Sequence, residues 1–355
     1  MNQIELIKAL SNCNGAPGYE DLVVNLVTQQ CQDLEVHTDS LMNTYIRKES
    51  KQKPFTIMLD AHLDEVGFMV QSITQNGLIK FIPLGGWITH NLPAHLVSIK
   101  NNKGDYIKGI VTSKPPHFMT SEEKNKKITL EDLSIDVGAS SREEVLKQYH
   151  ISVGAPIVPS VEFNYNPDTN IMMGKAFDNR LGCAAVITTL NQLPELKDIN
   201  IVGALAVQEE VGTRGAMVTA RQVKPDLAIV FEGTPADDVY LDDTLAQGVL
   251  GKGPQIRFRD NSYVAHHRFI ELAHQVADKY DIPYQAAVRL SGGTNAGKIH
   301  LSNQGIPTLV LGVPSRYIHT HHSYANFKDF ENTVTLAVCI INELDENSIK
   351  SLLSL

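Results

Sequence analysis

Apolar residues along the chain form two kinds of pattern. Continuous apolar runs that end beside glycine or acidic residues are typical of strands buried on both faces; they are FTIMLDA (55–61), NIVGALAVQ (200–208), DLAIVFEG (226–233) and PTLVLGV (307–313). Helical spacing occurs at 3–11 and 19–34 and in LGCAAVITTLNQL, HHRFIELAHQVADKY and FENTVTLAVCIINEL. This alternation predicts an α/β fold, with a mixed, largely parallel sheet that has helices on both faces.

The stretch from about 70 to 167 has a different pattern. Its apolar segments are shorter and alternate with polar residues, as in GFMVQSI, GLIKFIPL, AHLVSIKN and DYIKGIVT, and turn signals such as NG, GG, NKGD and KPP separate them. This pattern is typical of a small β domain. We therefore predict a main domain formed by residues 1–69 and 168–355, with residues 70–167 inserted as a β domain.

Composition narrows the class of protein. The chain has 355 residues, 43% of them hydrophobic, which is ordinary for a globular protein. A net charge of −9, with acidic and basic residues mixed throughout, argues against a nucleic-acid partner. The chain begins without the pattern of a secretory leader and contains no apolar run long enough to span a membrane, so we expect a cytoplasmic protein without a membrane partner. Its four cysteines are widely separated, as expected of reduced thiols.

Acidic residues and histidines cluster where the apolar runs end. The residues concerned are His62, Asp64, Glu209, Glu210, Glu232 and His319, and Asp178 stands just before a helical segment. The carboxyl ends of parallel strands meet at one edge of a sheet, where the ligand crevice lies. We therefore expect these side chains to converge.

Such a cluster requires a positive charge. Two imidazoles and several carboxylates would be costly to bury together unless a cation neutralised the carboxylates. Imidazole and carboxylate ligands without thiolate favour Zn, Co or Mn, and a shared carboxylate would hold two ions roughly 3.5–4 Å apart. In the adjacent pair Glu209-Glu210, one carboxylate can bind metal while the other faces a bridging water. Asp64 is suited to fix the tautomer of His62.

Each residue taken singly has an ordinary explanation. His62 could be a structural histidine, Asp178 a helix N-cap, and the glutamate pair a solvated surface feature. His319 competes with His321 and His322, and the chemistry of the residues does not rank the three. The coincidence at four strand ends favours the metal hypothesis.

Several motifs carry a resemblance to a known family. DAHLDEVGF, GKAFDNRLGC, VQEEVGTRGA, GGTNAG and SRYIHT resemble, in order and spacing, the motifs of the M42 family of metallo-aminopeptidases. LGGW, KPPH and IDVGASSREEV resemble the inserted domain of that family. The resemblance spans nearly the whole chain and implies a di-zinc peptidase-like fold with a β-barrel-like insertion that serves as an oligomerisation domain or lid.

The resemblance also implies roles for the clustered residues. The metal ligands would be His62 and Glu232 on the first ion, Glu210 and His319 on the second, and Asp178 between them; Glu209 would be the general base and Asp64 the orienting group. Two positions depart from the family. Glu232 stands where aspartate is usual, and Asn295 replaces the aspartate of GGTDAG, which puts in doubt any substrate contact made by that acid.

The implied function is that of an aminopeptidase that acts on short peptides and binds two divalent ions. Zinc is the expected metal, and cobalt and manganese are the alternatives. The family resemblance further implies a homo-oligomer, a tetrahedral dodecamer. The alternatives are a metal-dependent N-deacylase or carboxypeptidase, the glucanase of old family labels, and a binding protein with a vestigial site. Arg289 or Lys298 could supply a cation for acidic substrates, but the sequence leaves the preferred N-terminal residue and the native metal open.

Overall fold

The structure is a computed structural model that describes residues 1–48, 53–242 and 244–354. Its helices are α1 (Gln3–Asn12), α2 (Asp21–Gln30), α3 (Ser121–Asn125), α4 (Arg142–Lys147), α5 (Phe177–Gln192), α6 (Arg214–Val223), α7 (His267–Lys279), α8 (Ala296–Ile299), α9 (Phe327–Glu343) and α10 (Glu346–Leu353).

The strands of the large sheet are β1 (Glu35–Thr38), β2 (Thr44–Arg47), β3 (Phe55–His62), β10 (Asn164–Asn166), β11 (Ile171–Gly174), β12 (Ile199–Ala206), β13 (Leu227–Pro235), β14 (Gln255–Arg259), β15 (Gln285–Val288), β16 (Thr308–Arg316) and β17 (Ser323–Asn326). A second set of strands comprises β4 (Gly67–Ile73), β5 (Ile79–Leu84), β6 (Leu96–Lys100), β7 (Tyr106–Val111), β8 (Ile135–Asp136) and β9 (Pro156–Pro159).

The large sheet is mixed. Within the described residues its order is β1-β2-β12-β3-β13-β16-β17-β11-β10, and β14 pairs with β15 and β16. Parallel pairing joins β12, β3, β13 and β16 in the centre, whereas β1, β2, β10, β11 and β17 pair antiparallel. The expectation of a largely parallel sheet is therefore wrong for these flanking strands, although β14 and β15 also pair parallel. The flanking strands are joined by connections as short as 39–43 and 167–170, which can link only antiparallel neighbours.

Helices cover both faces of the central strands, as predicted. Alternate residues of β3 show how: Ile57 and Leu59 pack into the core formed with α1, α5, α7 and α9, while Met58 packs on the opposite face with Ala216 of α6 and Ile299 of α8. Both faces of the central strands are covered, so most of their side chains are apolar; Asp60, fully buried within β3, is an exception.

The second set of strands closes on itself. In the described part of the chain, β4-β5-β8-β7-β6-β9 form a closed barrel. Its own core includes Phe68, Val97, Ile99 and Ile157. Only residues 63–66 separate the end of β3 from the start of β4, so the barrel lies directly beside the carboxyl ends of the central strands.

Membrane-spanning helices are not found in the described residues, where every helix is too short or too polar for that role.

Candidate metal centre

Three neighbouring strands bring four of the predicted residues to one edge of the sheet. His62 is the last residue of β3, and its register partner Ala206 ends β12, so Glu209 and Glu210 emerge beside it. Glu232 lies in β13, on the other side of β3. The parallel pairing of these three strands places the carboxylates around the imidazole.

Two further residues enter the cluster from outside these three strands. Asp178 stands at the start of α5, and His319 lies in the connection between β16 and β17. Oδ1 of Asp178 lies 3.0 Å from Nε2 of His62, and its Oδ2 lies 3.3 Å from Nε2 of His319. One carboxylate therefore faces both imidazoles, with a different oxygen toward each.

The remaining carboxylates lie slightly farther from the imidazoles. Oε1 of Glu232 is 3.6 Å and Oε2 of Glu209 is 3.9 Å from Nε2 of His62, while Oε2 of Glu210 is 3.7 Å from Nε2 of His319. Ligand atoms of His62, Asp178 and Glu210 all lie within 4.8 Å of one another. The structure thus brings all six proposed metal and base residues together.

The chemistry of these donors fits bound cations. Oε1 of Glu210 and Oε1 of Glu232 are buried and have no hydrogen-bond partner among the described residues. Burial raises the pKa of Glu210 to about 8, with a contribution from Asp178, and burial raises the pKa of Glu232 to about 7. Buried carboxylate oxygens without donors are costly. A divalent ion beside them would remove that cost.

The neighbouring carboxylates also change the pKa values of the two imidazoles. Burial alone would lower the pKa of His319, but Asp178 and Glu210 outweigh it and raise that pKa to about 10. Burial likewise opposes protonation of His62, yet the carboxylates around it, Glu209 foremost, raise its pKa well above the usual range. Without metal, the cluster compensates its negative charge by holding protons on both rings.

Asp64 contacts the glutamate pair as well as His62, the residue that it was predicted to orient. Nδ1 of His62 lies 3.1 Å from the carbonyl oxygen of Asp64 and 3.4 Å from its Oδ1, so the backbone makes the closer contact with the ring. The carboxylate accepts hydrogen bonds from the backbone N–H groups of Glu209 (2.9 Å) and Glu210 (3.0 Å). Asp64 therefore connects the first imidazole to the glutamate pair.

Of the three competing histidines, His319 faces the cluster. Its Nδ1 lies 2.9 Å from the carbonyl oxygen of Gly86, in the connection that follows β5 of the barrel, which leaves Nε2 directed at Asp178. His321 is buried against the ring of His95, and His322 is exposed. The barrel thus contacts the candidate site directly.

Two of the three residues considered for substrate contact have partners within the fold. Asn295 is buried and donates to Oδ2 of Asp60 at 2.9 Å, an internal contact. Arg289 pairs with Asp237 at 2.6 Å. Lys298 is exposed on α8.

A buried ion network beside the site was not predicted. Glu65 accepts from Nζ of Lys175 at 2.8 Å and lies 3.5 Å from Arg180, all three being almost fully buried. Arg180 also donates to the carbonyl oxygens of Leu10 (2.6 Å) and Leu63 (2.8 Å). The network ties α1 and α5 to the connection after β3. In the sequence, the network was indicated only by the fact that Glu65 and Arg180 lie in the same motifs as predicted site residues.

Comparisons with known proteins identify the family of the chain. The model of the family described as M42 glutamyl aminopeptidase matches residues 43–336. Among curated proteins, a glutamyl aminopeptidase of Lactococcus lactis subsp. cremoris (strain MG1363) is 32% identical over 355 residues, covering 98% of both chains. A lysyl aminopeptidase of Pyrococcus furiosus is 32% identical over 349 residues, covering 96% of this chain and 97% of its own.

Solved structures extend the likeness to the whole fold. A TET aminopeptidase from the marine sediment archaeon Thaumarchaeota archaeon SCGC AB-539-E09 superposes with a TM-score of 0.94 at 34% identity, covering 99% of this chain and 98% of its own. The TET1 peptidase of Pyrococcus horikoshii, described as able to assemble into a tetrahedron or a large octahedral shell, has a TM-score of 0.86 at 28% identity, covering 97% of this chain and all of its own. The chain therefore belongs to the M42 family of aminopeptidases and is a hydrolase of peptide bonds.

Proposed function

We propose that the protein is a di-metal aminopeptidase that releases N-terminal residues from short peptides. The observation that carries this proposal is Asp178, whose two oxygens face His62 at 3.0 Å and His319 at 3.3 Å. A carboxylate shared between two imidazoles, each with a further carboxylate beside it, is the donor set of a two-cation site.

The ligands divide between the two ions. His62 and Glu232 would hold the first, Glu210 and His319 the second, and Asp178 would bridge them. Bound ions of this kind lower the pKa of water and polarise the peptide carbonyl. Nitrogen and oxygen donors without thiolate favour zinc, with cobalt and manganese as alternatives.

Glu209 is the proposed general base. It belongs to none of the ligand pairs, and its Oε2 lies at the edge of the cluster, 3.9 Å from Nε2 of His62. That oxygen would take a proton from the attacking water and deliver it to the leaving nitrogen. In the metal-free protein, burial raises the pKa of Glu209 well above its usual range, a direction that favours proton acceptance by this carboxylate.

Asp64 is the proposed orienting residue. Its carbonyl and carboxylate oxygens keep Nδ1 of His62 occupied, which leaves Nε2 free to bind metal. The same carboxylate fixes the backbone of Glu209 and Glu210. One residue thereby sets the distance between the base and the first metal ligand.

The domain roles follow from the placement of the barrel. Residues 1–69 and 168–355 would form the catalytic domain, and residues 70–167 an inserted domain that mediates oligomer contacts or covers the site. We expect a homo-oligomer, a tetrahedral dodecamer, because the similar TET1 peptidase assembles into tetrahedral or octahedral shells. A cytoplasmic location agrees with the four free cysteines.

Other hydrolytic activities have less support. An N-deacylase or carboxypeptidase could use the same donors, and the substrate decides between them. A glucanase would need two carboxylates free of metal, whereas the acids here crowd around imidazoles.

The test uses matched substrates on purified protein. Aminoacyl p-nitroanilides with a free α-amine would be compared with their N-acetylated forms, after chelation and after reloading with zinc, cobalt or manganese. We expect hydrolysis of free-amine substrates only, lost on chelation and restored by metal. Hydrolysis of the acetylated forms at equal rate, or full activity after chelation, would contradict the proposal.

A further inference from the structure

The backbone between β12 and α6 is held by side chains rather than by other strands. Consecutive N–H groups donate to side-chain oxygens: Val207 to Asn43 (3.0 Å), Gln208 to Glu20 (3.1 Å), and Glu209 and Glu210 to Asp64 (2.9 and 3.0 Å). β12 has ended at Ala206, so none of these donors belongs to its ladder. Three separate segments of the chain supply the acceptors.

Glu20 is the least expected of these acceptors. It is fully buried in the connection between α1 and α2, and its Oε1 accepts from Gly18 (2.9 Å) and Gln208 (3.1 Å), while Oε2 has no partner among the described residues. Although Glu20 is the N-cap residue of α2, its side chain makes no capping hydrogen bond. Capping of helix α2 therefore does not explain why a carboxylate occupies this position.

The hydrogen bond between Gln208 and Glu20 lies at a residue with an unfavourable backbone conformation. Gln208 has a φ of 55°, in the left-handed region that a residue with a side chain seldom occupies. Its conformation turns the chain immediately before Glu209. A backbone held in an unfavourable region persists only when surrounding contacts fix it, and the hydrogen bond that Glu20 accepts is donated by the N–H of that same residue.

We propose that Glu20 is a positioning residue for the general base, acting through the N–H of Gln208. This inference rests on the proposed role of Glu209 and adds a residue to that mechanism. Glu20 touches neither substrate nor metal; its oxygen fixes the turn from which the Glu209 carboxylate extends. Loss of that oxygen would let the base move by a fraction of an ångström and slow the proton transfer.

The experiment compares two replacements of similar size. Glu20→Gln keeps an acceptor oxygen for the N–H groups of Gly18 and Gln208, and Glu20→Met does not. We expect Glu20→Gln to retain most of the turnover, while kcat of Glu20→Met falls by about 10- to 100-fold with KM and metal content unchanged. Amide hydrogen exchange of the peptide covering residues 207–210 should quicken only in Glu20→Met.

Asp329 provides a matched control for lost stability. It is also a fully buried carboxylate that accepts two backbone N–H groups, those of Gly251 (2.7 Å) and Gly253 (2.7 Å). Asp329→Leu should lower the melting temperature as much as Glu20→Met does, yet leave kcat and exchange at residues 207–210 as in the parent protein. Equal loss of kcat in both variants would assign the effect to stability and overturn the proposal.

Other outcomes are equally decisive. Parent-like kcat and exchange in Glu20→Met, or an equal fall in Glu20→Gln and Glu20→Met, would overturn the positioning role. The Glu209→Gln variant is measured in the same experiment. If Glu209→Gln remains active, the proposed base is wrong. If Glu209→Gln is inactive and Glu20→Met is fully active, only the proposed role of Glu20 is rejected. Because hydrogen exchange needs no turnover, it tests the backbone contact in both cases.

Discussion

The roles proposed for Asp178 and Glu209 differ because the oxygens of the two carboxylates face different neighbours. Both oxygens of Asp178 lie within 3.3 Å of an imidazole nitrogen, whereas Oε2 of Glu209 stays 3.9 Å from His62 and its backbone is fixed by Asp64. A carboxylate that lies between two imidazoles, as Asp178 does, is suited to bridge two metal ions. One held beside the pair suits proton transfer.

Replacing the proposed base separates proton transfer from metal binding. Glu209→Gln preserves size and hydrogen bonding but cannot accept the proton, so we expect kcat to fall about 100- to 10,000-fold. Metal content, measured by elemental mass spectrometry, should match the parent protein because Glu209 is not a proposed ligand. Near-normal turnover in this variant would exclude Glu209 as the base.

Metal binding should tighten as pH rises. Before metal binds, burial raises the pKa of Glu210 to about 8 and that of Glu232 to about 7, and Asp178 helps raise the pKa of His319 to about 10 against the effect of burial. The metal-free protein therefore carries protons that a cation must displace, and displacement becomes easier at lower proton concentration.

We expect the apparent Kd for zinc to fall between about pH 6 and about pH 8, with protons released on binding. Calorimetry in two buffers of different ionisation heat measures both quantities. An affinity independent of pH, with no proton release, would show that the ligands are already deprotonated.

At the scale of elements, the connection after β5 brings the barrel into contact with the candidate metal centre. A Cβ on Gly85, which has a φ of 92°, would lie 2.8 Å from Cγ1 of Val66 and 3.2 Å from Oε2 of Glu210. The next residue, Gly86, accepts from the ring of His319. Both proposed ligands of the second ion therefore depend on this connection.

Gly85→Ala should lower zinc affinity by about 10-fold or more, since it displaces a ligand of the second ion. Gly104 is the matched control, because its φ is 90° and an added Cβ would meet nothing within 4 Å. Gly104→Ala should therefore show the backbone strain alone, as a lower melting temperature with parent-like zinc affinity. Equal affinities in the two variants would contradict the coupling.

The ion network of Glu65, Lys175 and Arg180 joins α1 and α5 to the connection after β3. Burial lowers the pKa of Lys175, and Glu65, at 2.8 Å, offsets part of that cost. Lys175→Met leaves Glu65 with only the more distant Arg180 as a cation, so the free energy of unfolding should fall by about 3–5 kcal/mol in denaturant titration. Lys147→Met, which breaks an exposed pair with Glu143, should change it little.

At the scale of the whole molecule, the barrel lies beside the edge of the sheet that carries the candidate metal centre. Apolar side chains on its strands, Ile82, Leu96 and Ile110, are exposed in the single chain. Such residues suit a surface that other subunits cover. This placement agrees with the proposed role of residues 70–167 in assembly.

The native mass tests that proposal. Light scattering coupled to gel filtration should give a mass many times the 39.2 kDa of one chain. A dodecamer is the expected assembly. A stable monomer at micromolar concentration would contradict it.

The sequence by itself determined the central strands and the donors at their ends. A strand buried on both faces is apolar at most positions, and polar residues become frequent where the strand ends. For this reason β3, β12, β13 and β16 were all predicted within a few residues. The same local change marked His62 and the glutamate pair.

Only the tertiary structure decided how these donors meet. The ring of His319, rather than that of His321, faces Asp178 because Gly86 of the barrel holds it, a contact between residues far apart in the chain. Glu20 also lies far from Gln208 along the chain, and only folding brings the two together. The antiparallel flanks of the sheet also depend on which strands become neighbours. Local patterns report whether a residue is buried, but they do not report its partner across the fold.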